Sequence, residues 1–118
     1  MRAADLTVVR QTSPQEYGVA LSPANAAALR DMMLGVVQSG TGKAAQIPGV
    51  PVAGKTGTAQ TTQGAAPNAW FTAFAPADAP RVAVAVLVEH GGSMGNDATG
   101  GQVAAPIARA VMEAVLGS

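Results

Sequence analysis

The stretch PGVPVAGKTGTAQTTQG, residues 48–64, admits two readings, and the fold of the chain turns on which one holds. From Gly49 to Thr56 it runs G-V-P-V-A-G-K-T, a full match to G-x-x-x-x-G-K-[ST], the loop that cradles nucleotide phosphates. The same lysine can instead lie in a β-strand and alternate with the threonines that follow. A phosphate loop needs a buried strand before it and a helix after it, so that loop amides and the helix N-terminus face the phosphates. Here the residues before it, GKAAQIP, make a poor buried strand. Those after the lysine, TGTAQTTQGAAPN, show no 3.6 period and run into a proline. The segment is expected to be strand and turn, with a P-loop nucleotide binder kept only as a distant alternative.

As a strand, the segment makes chemical sense. A side-chain period of 2 puts Thr56 and Thr58 on one face, two hydroxyls able to hold one carboxylate. Lys55 goes to the other side, where its long stem can deliver an ammonium under a cleft. Gly57 lets a neighbouring group approach the backbone, and the Thr58 N–H is available as an oxyanion donor if the strand borders a site. An edge strand with solvated threonines has the same spacing, so spacing alone leaves both readings open.

Working outward, three strand-like runs are expected at residues 52–60, 69–75 and 81–90. The last two are separated by PADAP, a turn short enough for antiparallel neighbours. In RVAVAVLVEH both alternating faces are apolar, which predicts a central strand covered on both sides. Before the sheet, Ser22 as N-cap and Pro23 in the first turn open a helix. Leu29, Met32, Met33, Val36 and Val37 form its apolar stripe, with Arg30 and Asp31 opposite and Gly40 near its end. Residues 39–49 read as a Gly-rich connection, and GGSMGNDATGG, residues 91–101, as a mobile loop. A final helix from about residue 101 to 116 carries Val103, Ile107, Val111 and Val115 in one row, with Pro106 in or near its first turn and Gly117 ending it. At the N-terminal end, LTVV and YGVAL are short strand candidates.

With 118 residues the chain is of single-domain size, and no internal repeat or linker divides it. Seven basic and seven acidic residues are scattered singly, so no basic stripe exists to neutralise phosphates, which argues against nucleic acid as a partner. Cysteine is absent and His90 is the only histidine, which removes thiolate sites and a histidine-based metal site or triad. No cofactor or metal is implied. The longest apolar run, residues 82–88, is too short to span a bilayer, and the first residues lack the apolar core of a secretory signal.

The order of segments carries more information than any one of them. LSPANAAALRDMMLGVVQSGTGKAA, VAGKTGTAQ, AWFTAFAP, RVAVAVLVEHGG and GGQVAAPIARAVMEAVL together resemble the C-terminal part of the transpeptidase domain of class B penicillin-binding proteins. The resemblance implies a D,D-transpeptidase that cross-links peptidoglycan stem peptides through a serine acyl-enzyme and is acylated by β-lactams. It implies that Lys55 supplies positive charge to the active-site hydrogen-bond network. Thr56 and Thr58, beside Gly57, would bind the carboxylate of substrate or drug, and the Thr58 N–H would complete the oxyanion hole. Trp70 and Phe71 are expected as scaffold, and Glu89 and His90 as strand-end features. The implied location is the extracytoplasmic face of the bacterial membrane.

Two family elements are missing. None of Ser13, Ser22, Ser39, Ser93 or Ser118 is followed three residues later by lysine, so the S-x-x-K nucleophile is absent, and no S-x-N motif fits. The expected fold is therefore a partial α+β one. It has three antiparallel strands in sequence order, the final helix on one face and one helix before the sheet. Residues 1–118 would form the C-terminal part of one transpeptidase domain, inactive alone and incomplete without the N-terminal part. Unpaired strand edges also predict homo-oligomers. The rival reading is a non-catalytic peptide- or protein-binding module that uses an exposed strand edge.

Overall fold

The computed structural model describes residues 18–60 and 63–117, together with residues 13, 15 and 16. The strand candidate LTVV, residues 6–9, lies outside them; within YGVAL, residues 18–20 carry no regular structure. Ser22 caps α1 (Pro23–Gln38), its hydroxyl accepting from the Asn25 N–H at 3.3 Å, with Pro23 in the first turn. After Gln38 the chain turns back, the Gly40 and Gly42 N–H groups donating to the Gly35 and Val36 carbonyls. A short 3₁₀ turn, Lys43–Ala45, leads towards the sheet.

The sheet comprises β1 (Ala53–Ala59), β2 (Asn68–Ala75) and β3 (Val82–Val88), antiparallel and in the order β1-β2-β3. Registers Thr56↔Phe71↔Val86 and Lys55↔Thr72↔Ala85 assign the faces. Phe71, Ala73 and Ala75 join Val82, Val84, Val86 and Val88 on the inner face, where α2 (Ala105–Leu116) packs. Phe71 and Met112 are the largest fully buried side chains, and most of the remaining core is alanine.

Three expectations fail here, each for a packing reason. Among the described residues β3 lies at an edge of the sheet, not at its centre. Its valine face packs on the core, while Ala83, Ala85 and Leu87 are exposed. In α1, Leu29 and Met32 are exposed at 44% and 63%, and Val37 is the one buried residue, because only the C-terminal turns of the helix reach the core. In α2 the row Ile107, Val111 and Val115 faces outward, and Ala105, Ala108 and Met112 are buried. Small side chains let the helix approach the sheet closely, so the alanine side wins the inner position. A helix that is apolar on both sides is suited to burial on both sides.

Residues 91–101 are also more structured than a mobile loop. β3 ends two residues earlier than expected, and Glu89–Asp97 forms 3₁₀ turns in which His90, Gly91, Gly92 and Gly95 have positive φ. The His90 N–H donates to Asn68 Oδ1 at 3.0 Å, closing this end of the sheet. A single π turn, Gly100–Ala104, then leads into α2. The Ala105 N–H reaches the Gly100 carbonyl, and Pro106 has no N–H with which to make the α-type bond to Gln102.

Candidate active site

β1 places the K-T-G-T residues as alternation requires. Thr56 and Thr58 share the inner face, aligned with Phe71 and Ala69, whereas Lys55 and Gly57 share the outer face with Thr72 and Trp70. Among the described residues β1 pairs with β2 alone, so its other edge is unpaired there. Lys55 is exposed, and its Nζ donates to the Thr56 carbonyl at 2.6 Å. Among the described residues the ion pairs are Arg30–Asp31 and Arg109–Glu113, so Lys55 has no carboxylate partner there. Thr58 is exposed and Thr56 partly buried. A lysine and threonines continuous with a strand leave no loop or helix N-terminus around which phosphates could sit, so the P-loop reading fails.

Gly57 does admit a close neighbour, the backbone of another segment. Gly100 lies over the Gly57–Trp70 pair: a Cβ at position 100 would sit against the Trp70 carbonyl oxygen, 2.8 Å from Gly57 O and 3.0 Å from Gly57 N. Gly101 abuts the Thr41 carbonyl in the same way. The two glycines thus press the π turn onto both the K-T-G-T strand and the turn that follows α1. Phe71 is buried as expected, but Trp70 is 39% exposed on the opposite face of the sheet, so only one of the two aromatics is core.

Sequence reasoning missed Thr41. Its Oγ1 lies 2.8 Å from Thr56 Oγ1, bringing a third hydroxyl to the threonine face of β1. The two residues are 15 positions apart and no periodicity links them. The only local signal was the G-T-G turn within SGTGKAA, in which Gly42 is buried against Phe71 and Val36.

Comparison with known proteins identifies the family. Residues 2–113 match the family model described as penicillin binding protein transpeptidase domain. The chain is 46% identical over 119 residues to the peptidoglycan D,D-transpeptidase PbpA of Mycolicibacterium smegmatis, covering 98% of this chain and 24% of that protein. The stage V sporulation protein D of Bacillus subtilis is 36% identical over 109 residues, covering 88% of this chain and 17% of that protein. Among solved structures, the ceftriaxone acyl-enzyme complex of penicillin-binding protein A from M. tuberculosis superposes with a TM-score of 0.82 at 46% identity, covering 98% of this chain and 26% of that one. A D,D-transpeptidase domain from Eggerthella lenta gives 0.76 at 39% identity, covering 98% and 25%. The chain spans about a quarter of the length of the mycobacterial relatives it matches. With a family match running through residues 2–113, and solved relatives that share the fold, the chain belongs to the penicillin-binding protein transpeptidase domain family.

Proposed function

We propose that this chain supplies the carboxylate-binding wall of a peptidoglycan D,D-transpeptidase site that β-lactams acylate. The observation that carries the reading is the placement of K-T-G-T on a strand with one unpaired edge, its threonine hydroxyls together on one face. In the proposed reaction a serine hydroxyl from the rest of the domain adds to the substrate amide carbonyl. The C–N bond breaks, the leaving amine takes the serine's proton, and an amine of a second stem peptide later displaces the serine. The chain's own residues bind and orient. Thr56 and Thr58 donate to the carboxylate, and Lys55 keeps positive charge at the cleft. Thr58 N–H lies on the same strand edge as the Thr56 carbonyl that Lys55 reaches, since backbone groups alternate edges along a strand. That position suits an oxyanion donor. The activity belongs on the extracytoplasmic face of the membrane, where stem peptides are. Among the described residues no helix is long and apolar enough to cross a membrane.

The test exchanges this chain for the matching 119 residues of M. smegmatis PbpA. The chimera should be labelled covalently by fluorescent penicillin, and the chain alone should form no adduct in denaturing mass spectrometry, because it holds no S-x-x-K serine. A chimera that melts cooperatively yet takes no label sinks the proposal, as does a stoichiometric adduct on the isolated chain.

The β3 edge, which pairs with β2 alone among the described residues, with Ile107 and Val111 exposed on α2, also predicts that the isolated chain self-associates. Sedimentation velocity should show mass rising with concentration, and the chimera, in which the rest of the domain would cover the β3 edge and α2, should not. A monomer at millimolar concentration would contradict this.

A further inference from the structure

We infer that Thr41 is a positioning residue for carboxylate recognition, acting through Thr56; this rests on the proposed role of the K-T-G-T strand. A hydroxyl has one proton to donate and two lone pairs, and an ionised carboxylate can only accept. If Thr56 gives its proton to the carboxylate, its 2.8 Å bond with Thr41 must run one way, with Thr41 O–H donating and Thr56 Oγ1 accepting. Thr41 therefore selects the rotation of the Thr56 hydroxyl that points its proton at the ligand. It also polarises that O–H, since linked hydrogen bonds strengthen one another. With valine at position 41, the Thr56 hydroxyl is free to turn towards other acceptors.

Thr41 is held well enough to do this. The turn carrying it is closed by the Gly40 and Gly42 N–H groups on the Gly35 and Val36 carbonyls. Gly42 is buried against Phe71, and a Cβ at position 101 would meet the Thr41 carbonyl and lie 3.6 Å from Thr56 Cγ2, so this glycine faces both threonines. The contact joins three distant segments of the chain at the threonine face of β1: the turn after α1, the strand, and the π turn before α2. No other side-chain hydrogen bond to Thr56 Oγ1 occurs among the described residues.

The experiment compares acylation of the PbpA chimera by penicillin G and by its methyl ester, which lacks the charged carboxylate. Thr41→Val should lower the second-order constant for penicillin G about 5- to 10-fold, the worth of one oriented hydrogen bond, and change that for the ester less than about twofold. Thr41→Ser, which keeps the hydroxyl, should restore the acid-to-ester ratio. The double variant Thr41→Val/Thr56→Val should discriminate no worse than Thr56→Val alone. Equal losses for acid and ester would make Thr41 merely structural and overturn the inference, as would an unchanged ratio. If Thr56→Val lowers the ratio and Thr41→Val does not, only this inference falls. If Thr56→Val itself leaves the ratio unchanged, the carboxylate reading of the strand falls with it. Should Thr41→Val fail to melt cooperatively, Thr41→Ala removes the hydroxyl without adding a methyl group, and the same ratio decides.

Discussion

Acylation of the PbpA chimera by penicillin is expected to fall at least about a hundredfold on Lys55→Ala, the usual scale for losing one preorganised charge or donor in a partly dry site. The ammonium lies next to the edge that carries the Thr58 N–H, its Nζ on the Thr56 carbonyl at 2.6 Å. Alanine removes both the charge and the donor while leaving the strand register intact, because Lys55 is exposed and packs little. Thermal melting should therefore be nearly unchanged. Lys55→Arg keeps the charge but replaces a compact ammonium with a broad planar fork, and an intermediate loss is expected. Thr58→Val should cost less than Lys55→Ala, about 1–3 kcal/mol for a hydrogen bond to a charged group. A module that only captured chains along a strand edge would use backbone groups and would tolerate Lys55→Ala. Full-rate acylation in Lys55→Ala would thus discard the proposed chemistry and leave the strand as scaffold.

Gly100→Ala is expected to produce the largest stability loss of any single methyl addition in the sheet region. The added carbon would meet the Trp70 carbonyl and both Gly57 backbone polar atoms, and none of these can rotate away. Overpacking of this kind costs about 1–3 kcal/mol where neighbours can shift, and contact with backbone alone puts this site at or above the upper figure. The damage should reach function too, because the strand displaced at Gly57 carries Thr58 as its next residue. Gly35→Ala is the contrast. It lies inside α1 with open space beside it, so the same added methyl should stabilise the helix by about 0.5–1 kcal/mol. Denaturation midpoints of the two variants in the chimera should move in opposite directions. Similar small shifts for both would mean that Gly100 does not hold the π turn against β1.

How much of this was legible beforehand follows from the range of the interactions involved. Local rules sufficed where one segment decides its own state. The Ser22–Pro23 start of α1, the strand character of β1, the antiparallel β2–β3 pair and the alternation of Lys55 against Thr56 and Thr58 all depend on neighbours a few residues away. The same rules dismissed the phosphate loop, because a helix must declare itself within the next turn or two and TGTAQTTQG does not.

The packing misses in β3 and α2 concern which of two adequate sides meets a partner. RVAVAVLVEH is apolar on both sides and reads as central, yet among the described residues only β2 pairs with it. α2 offers a bulky aliphatic row and an alanine row; hydrophobic strength favours the first, whereas close approach to the sheet selects Ala105, Ala108 and Met112. Neither choice can be read from a single segment, since the answer lies in the shape of the surface opposite. The meeting of Thr41 with Thr56, and of Gly100 and Gly101 with the backbones of Gly57 and Thr41, lies further still from sequence reading. These contacts link segments 15 to more than 40 residues apart and leave no period behind. By itself the sequence determined the main helices and strands and the alternation of Lys55 against Thr56 and Thr58, because those follow from backbone preference and side-chain period. Only the tertiary structure decided which helix face is buried, which strand is the edge, and which hydroxyl stands behind Thr56, because those follow from how separate surfaces fit.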